Sequence, residues 1–159
     1  MADHKQRLVD ANIKHSDVIW SLDVFDAGLD EMVENQEAAT PEWKESQLVF
    51  LEQGNDGAGL QHISTRHGND FENLGFQREG GYFTREDVPR EKKISEYIYK
   101  YMRLGHAATF GFTVDERGFK VVYQVDPDLY LHVAIGTNGF IVTALLRNDE
   151  AANYDDFQY

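Results

Sequence analysis

Three residues within six positions, His62, Arg66 and His67, could carry out chemistry on a phosphate group. On a helix, His62 and Arg66 lie four residues apart, about 40° around the axis, so they share one face. A histidine near neutral pH can take a proton from a hydroxyl or give one to a leaving oxygen. An arginine can bind a phosphate through two N–H groups and stabilise charge that grows in a transition state. The segment therefore suits cleavage of a phosphodiester.

The role of His67 is open, because the sequence favours two interpretations. His67 falls on an apolar helical stripe with Leu60, Ile63 and Phe71, where a histidine is more often a structural core residue. The helical phase thus predicts that His62 faces the same side as Arg66 while His67 faces the core. A zinc-protease helix is not indicated, since the two histidines are five residues apart with no glutamate between them. The sequence predicts no metal site.

Two further segments contain candidate residues. A predicted hairpin face bears Tyr130, His132 and Thr143, although threonine and a buried histidine are also ordinary structural residues of strands. The segment 84–93 concentrates basic residues at the start of a predicted helix. There Arg85 could bind a phosphate, or the segment could be an exposed helix end with charges of both signs.

The elements that must position these residues follow from spacing and turn signals. Residues 4–36 are predicted to be helical with a break at Gly28, and 149–159 form an acidic tail. Asn138-Gly139 is a strong hairpin signal that would place Ala134 opposite Thr143. Helices are further predicted over 60–74 and 88–104, and strands over 48–51, 119–125, 129–135 and 140–146. We therefore predict an α+β fold in which N-terminal helices precede a helix pair on a small antiparallel sheet that ends in a β-hairpin. The predicted units are a helical extension (1–45), an α+β domain (46–148) and the tail (149–159).

Composition narrows the classes of function. The 159 residues have a net charge of −13, which opposes loose binding to a phosphate backbone. Residues 61–125, however, carry one more basic than acidic side chain, so this middle part is compatible with a phosphate ligand. There is no cysteine, no run near the ~18 apolar residues of a membrane span, and no apolar region that resembles a signal peptide. We expect a cytoplasmic protein with no membrane association and, since no nucleotide-binding loop is present, no cofactor.

The order of these pieces resembles the nuclease domains of the barnase–EndoU–colicin–RelE superfamily, especially those of phage proteins and bacterial polymorphic toxins. The resemblance covers roughly residues 47–147. It is carried by the segment Gly59-Leu60-Gln61-His62-Ile63 with Arg66-His67, by Val122-Tyr123, and by His132 to Ala144 with its Asn138-Gly139 turn.

The resemblance implies a metal-independent ribonuclease that uses the ribose 2′-hydroxyl to form a 2′,3′-cyclic phosphate. His62 or His67 would be general acid or base, and Arg66 would bind the scissile phosphate. Thr143 would position a phosphate oxygen, and Tyr123 would stack or donate a hydrogen bond. RNA, with transfer RNA among the candidates, and a cognate immunity protein would be the partners. The acidity of the chain favours one alternative, a non-enzymatic acidic binding protein such as an immunity protein or a phage-encoded inhibitor that mimics nucleic acid. A further alternative is a different enzyme on the same scaffold that acts on a nucleotide-like ligand.

Overall fold

The N-terminal third of the chain folds as three short helices and two strands. The computed structural model describes residues 3–115 and 117–148. Its first elements are α1 (His4–Asp10), β1 (Val18–Asp23), α2 (Asp30–Asn35), α3 (Pro41–Ser46) and β2 (Leu48–Glu52). The prediction of helix throughout 4–36 is wrong for β1, which pairs antiparallel with β2. Val18-Ile19-Trp20 has the β-branched and aromatic side chains that strands favour. Local spacing did not reveal the strand because its partner β2 lies about 30 residues further along the chain.

Capping residues set where the first helices begin. The Asp3 carboxylate accepts from Gln6 N at 2.8 Å, and the Thr40 hydroxyl accepts from Trp43 N at 3.2 Å. Pro41 occupies the first turn of α3, where its missing N–H costs no hydrogen bond. Local sequence thus explains these boundaries.

Two longer helices form the middle of the chain, as predicted. They are α4 (Leu60–Asp70) and α6 (Arg90–Met102), separated by a π-helical stretch (Phe71–Phe76), a single turn α5 (Gln77–Glu79) and a 3₁₀ turn (Gly81–Thr84). The wider π turn lets Phe71, Gly75 and Phe76 all be buried. Gly75 is close-packed, since a Cβ there would lie 2.8 Å from the Leu146 side chain.

Four antiparallel strands complete the fold in the order β3-β4-β5-β6. They are β3 (Thr109–Asp115), β4 (Gly118–Asp126), β5 (Leu129–Ile135) and β6 (Ile141–Arg147), of which only β3 was not predicted. The predicted pairing of Ala134 with Thr143 is confirmed. The turn is longer than two residues, because the register shifts after Ala134 and Gly136 N donates to Phe140 O at 2.7 Å.

The sheet has two buried faces. On one face Leu131 and Val133 lie opposite Leu146 and Ala144 and join the main apolar core. We call the other face the polar face. It is defined by Lys120, His132, Thr143 and Arg147, together with their strand neighbours Tyr130, Ala134 and Leu145. The α+β prediction is therefore confirmed, and the polar face carries the candidate residues His132 and Thr143.

Residues on both sides of position 45, the predicted end of the N-terminal extension, pack into the same apolar core. Trp43 is fully buried, and its ring lies 5.3 Å from that of Phe119. Phe50 N donates to Gly139 O at 3.0 Å, which places β2 beside the start of β6. The N-terminal residues and the sheet thus share one core.

The proposed tail, 149–159, lies outside the described residues. Over the ranges 3–115 and 117–148, the helices are too short or too polar to cross a membrane.

Candidate active site

The start of α4 is fixed against β6. Gly59 has φ 90°, a conformation that suits glycine, and its N–H donates to Val142 O at 2.9 Å. Val142 directly precedes Thr143, so the helix that carries His62 begins beside the strand that carries Thr143. The fold thus places the α4 residues of the predicted site and Thr143 on neighbouring elements.

His62 is buried and has a defined tautomer. It is 2% exposed, and its Nδ1 lies 2.9 Å from the backbone oxygen of Asp56. Because a carbonyl oxygen only accepts, Nδ1 carries the hydrogen, and Nε2 of the neutral ring holds the lone pair. Nε2 is buried without a hydrogen-bond partner among the residues that the structure describes. A buried, unpartnered basic nitrogen is unusual and is typical of functional sites.

His67 packs against His62 rather than being separated from it. The ring centroids are 5.9 Å apart with an interplanar angle of 79°. The prediction that only His67 faces the interior is wrong, since His67 is half-buried and His62 is the more buried of the two. Both Nε2 atoms are without a hydrogen-bond partner in the described part of the chain. The rings meet although their positions are about 140° apart around the helix axis, because both side chains turn toward the interior.

The surroundings of His67 disfavour its charged form. Burial is the main cause that lowers the pKa of His67 to about 4. The positive charges of Arg66 and Arg147, and that of His62 when its ring is protonated, act in the same direction. His67 is therefore neutral at pH 7, and any role as a proton donor needs a negatively charged ligand nearby.

We expect the lowered pKa of His67 to make folding less stable in mild acid. Between pH 6.5 and 4 the unfolded chain binds a proton at His67 that the folded chain does not, so the free energy of unfolding falls as pH falls. The loss attributable to His67 between pH 7 and pH 5 is about 1 kcal/mol after allowance for solvent screening. Urea unfolding of the unmodified chain and of His67→Gln at both pH values measures it. An equal loss in both proteins would contradict this assignment.

Thr143 and His132 lie on the polar face as the hairpin prediction required. Both are fully buried, and Thr143 pairs with Ala134, which pairs in turn with Lys120. The Thr143 hydroxyl has no hydrogen-bond partner within residues 3–115 and 117–148. A buried hydroxyl normally has a partner, so this oxygen could bind a ligand oxygen.

Two basic residues of the polar face were not among the candidates from sequence. Lys120 is buried between Phe119 and Val121 in β4, and Arg147 is the last residue of β6. Arg147 shares a face with Thr143 because residues alternate along a strand, and its charge acts on His67. The isolated lysine within 119–125 was the signal that could have identified Lys120 from sequence.

Tyr123 does not belong to the site. It lies on the core face in register with Leu131, is fully buried, and its hydroxyl donates to Ala27 O at 2.7 Å. Burial raises its pKa. The side chain therefore joins the N-terminal segment to the sheet, and this placement does not support the predicted substrate contact.

The guanidinium of Arg85 is paired with a neighbouring carboxylate. It is exposed and forms a two-bond ion pair with Asp87 at 2.5 and 2.9 Å. The helix that follows contacts α4 through Arg90, which donates to Ser64 O at 2.8 Å. Ser64 lies about 200° around the axis from His62, so Arg90 meets α4 on the side away from His62. The predicted phosphate contact by Arg85 is not supported by this placement.

Among the described residues, no three His, Cys, Asp or Glu side chains gather where they could hold a metal ion. Comparison with known proteins adds no family: no protein-family model matches the chain, and no curated protein matches it significantly.

Proposed function

We propose that the chain is a ribonuclease that cleaves RNA without a metal ion, with the 2′-hydroxyl as nucleophile. The observation that carries the proposal is the unpartnered Nε2 of His62, held beside His67 and in a region where Arg66 and Arg147 supply positive charge. The proposed site consists of His62, Arg66 and His67 on α4 and of Thr143 and Arg147 on the polar face of the sheet. His132 and Lys120 lie on that polar face as well.

Each residue has a role that its surroundings support. His62 Nε2 takes the proton of the 2′-hydroxyl, and Asp56 O stabilises the resulting imidazolium through Nδ1–H. Arg66 and Arg147 bind the phosphate, whose negative charge raises the pKa of His67 from about 4 so that it can donate to the leaving 5′-oxygen. The Thr143 hydroxyl binds a phosphate oxygen. The product is a 2′,3′-cyclic phosphate, which matches the mechanism implied by the family resemblance.

A second function has one observation in its favour. His62 and Thr143 are almost completely shielded from solvent, so RNA reaches them only after a rearrangement. A protein that binds a basic partner through its acidic surface, with a net charge of −13, needs no such access. We therefore retain the acidic binding protein, such as an immunity protein or inhibitor, as the competing proposal.

RNA cleavage in EDTA separates the two proposals. The unmodified chain should cut total RNA and transfer RNA, and the fragments should end in 2′,3′-cyclic phosphate, as shown by resistance to end-labelling that needs a free 3′-hydroxyl. Intact RNA at micromolar protein concentrations would contradict the ribonuclease. Tight, salt-sensitive binding to a basic protein would then favour the acidic binding protein.

A further inference from the structure

The polar face of the sheet is as well shielded from solvent as the core face. His132 and Thr143 have no exposed surface, and Lys120 is 3% exposed. Among the described residues, the apolar side chains Ala134 and Leu145 of this face form a small cluster of their own that includes no helical residue. Helices α4 and α6 contribute their buried apolar side chains to the main core, on the opposite face. The apolar packing of these helices therefore does not explain why the polar face is shielded.

The charges of the polar face call for a carboxylate from another part of the chain. Lys120 and Arg147 are basic, and the residues that define the face with them are neutral or histidine. A buried ammonium group is stable when an anion pairs with it, and both cations do take part in interactions. We therefore expect the carboxylate partner of Lys120 to reach this face from elsewhere in the chain.

The tail, 149–159, has a composition that complements this face. It contains four acidic residues and no basic one, so its charge is opposite to that of Lys120 and Arg147. It also contains three aromatic residues, Tyr154, Phe157 and Tyr159, which can cover apolar side chains. The tail can thus supply both the carboxylates and the apolar surface that the polar face lacks.

The tail also begins at a suitable place. It follows Asn148, directly after the last residue of β6. Lys120 lies level with Thr143, roughly 13 Å back along β6 from Arg147 and roughly 10 Å across two strand spacings. The eight positions from Arg147 to Asp155 can span up to about 26 Å. The carboxylates of the tail are therefore within reach of Lys120.

We propose that the tail folds back over the polar face and covers the Thr143 side of the proposed site. Asp155 or Asp156 pairs with Lys120, and the aromatic side chains of the tail pack on the apolar cluster of this face. A carboxylate there takes the place of an RNA phosphate, so the tail inhibits RNA binding until it is displaced. The cover stands independently of the proposed ribonuclease, whereas its inhibitory effect rests on that proposed function.

The accessibility of a single thiol tests the cover. The chain has no cysteine, so Ala134→Cys gives one reporter on the polar face, and Ala144→Cys gives a matched buried reporter on the core face. The rate of reaction with a thiol reagent is measured in the full chain, with and without Asp155→Asn and Asp156→Asn. The tail substitutions should speed labelling at position 134 about tenfold and leave position 144 unchanged, because only the polar face opens more readily.

Two further variants control for charge and for folding. Glu31→Gln with Glu34→Gln removes two exposed carboxylates from α2 and should leave both labelling rates unchanged. Leu145→Cys, on the polar face, replaces the first reporter if circular dichroism shows that Ala134→Cys disrupts folding. Labelling of the polar-face thiol that the tail substitutions leave unchanged would overturn the cover. Equal acceleration at position 144 would also overturn it, since that result indicates a general loss of stability.

RNA cleavage by the same proteins separates the cover from the proposed function. In a ribonuclease, the tail substitutions should raise the initial rate of cleavage together with the labelling rate at position 134. An accessible thiol in a chain that cleaves no RNA would contradict the ribonuclease and leave the cover in place. Cleavage by the unmodified chain, with labelling that the tail substitutions do not change, would overturn the cover and leave the ribonuclease in place.

Discussion

Replacing His62 with glutamine should lower the rate of RNA cleavage at pH 7 by at least about 100-fold, the usual contribution of a general base. Glutamine still has an N–H that can donate to Asp56 O, but it has no basic nitrogen, so the substitution removes the chemistry with little change in volume. The measurement is the initial rate of cleavage of a fluorescent RNA substrate in EDTA, alongside the midpoint of urea unfolding. A loss of rate without a loss of stability is the expected result.

His106→Gln is the matched control for this variant. His106 is exposed and hydrogen-bonded to Asp30 Oδ1 at 2.9 Å, at the end of α6 and far along the chain from α4. It should cleave RNA at the rate of the unmodified chain. A His62→Gln protein that keeps more than about a tenth of the activity would show that another group takes the proton.

Replacing Trp43 with alanine should lower the free energy of unfolding by about 3–5 kcal/mol, as expected for a large aromatic side chain removed from a core. Trp43 has no exposed surface, packs edge-to-face on Phe119, and lies close to Gly139, where a Cβ would meet its Nε1 at 2.6 Å. It therefore joins α3, β4 and the hairpin turn. Since small domains have total stabilities of about 5–15 kcal/mol, the variant should lose much of its stability in one transition.

Phe25→Ala provides the comparison for Trp43→Ala. Phe25 is also an aromatic residue of the N-terminal segment, but it is 62% exposed, so its removal should change the unfolding free energy by about 0.5 kcal/mol or less. Circular dichroism during urea titration follows both variants. A Trp43→Ala protein as stable as Phe25→Ala, or one that unfolds in two separate steps, would show that residues 1–45 form an independent unit.

Local sequence determined most of the elements that carry the proposed site. Helical spacing predicted α4 and α6, alternation predicted β4, β5 and β6, and the hairpin signal placed Ala134 opposite Thr143. These features depend on neighbours within a few residues, where periodicity and turn preferences act directly. For the same reason the sequence identified His62, Arg66 and His67 as a group on one helix.

Only the tertiary structure decided which side of each element faces the site. It turned His62 and His67 toward each other, because the interior on that side of α4 surrounds both rings. It placed Tyr123 on the core face and paired Arg85 with Asp87, and it brought Lys120 and Arg147 to the face that carries Thr143. It also made residues 18–23 a strand, since β1 gains its hydrogen bonds from β2. Burial, pairing and pKa depend on contacts between distant residues, and local spacing does not contain them.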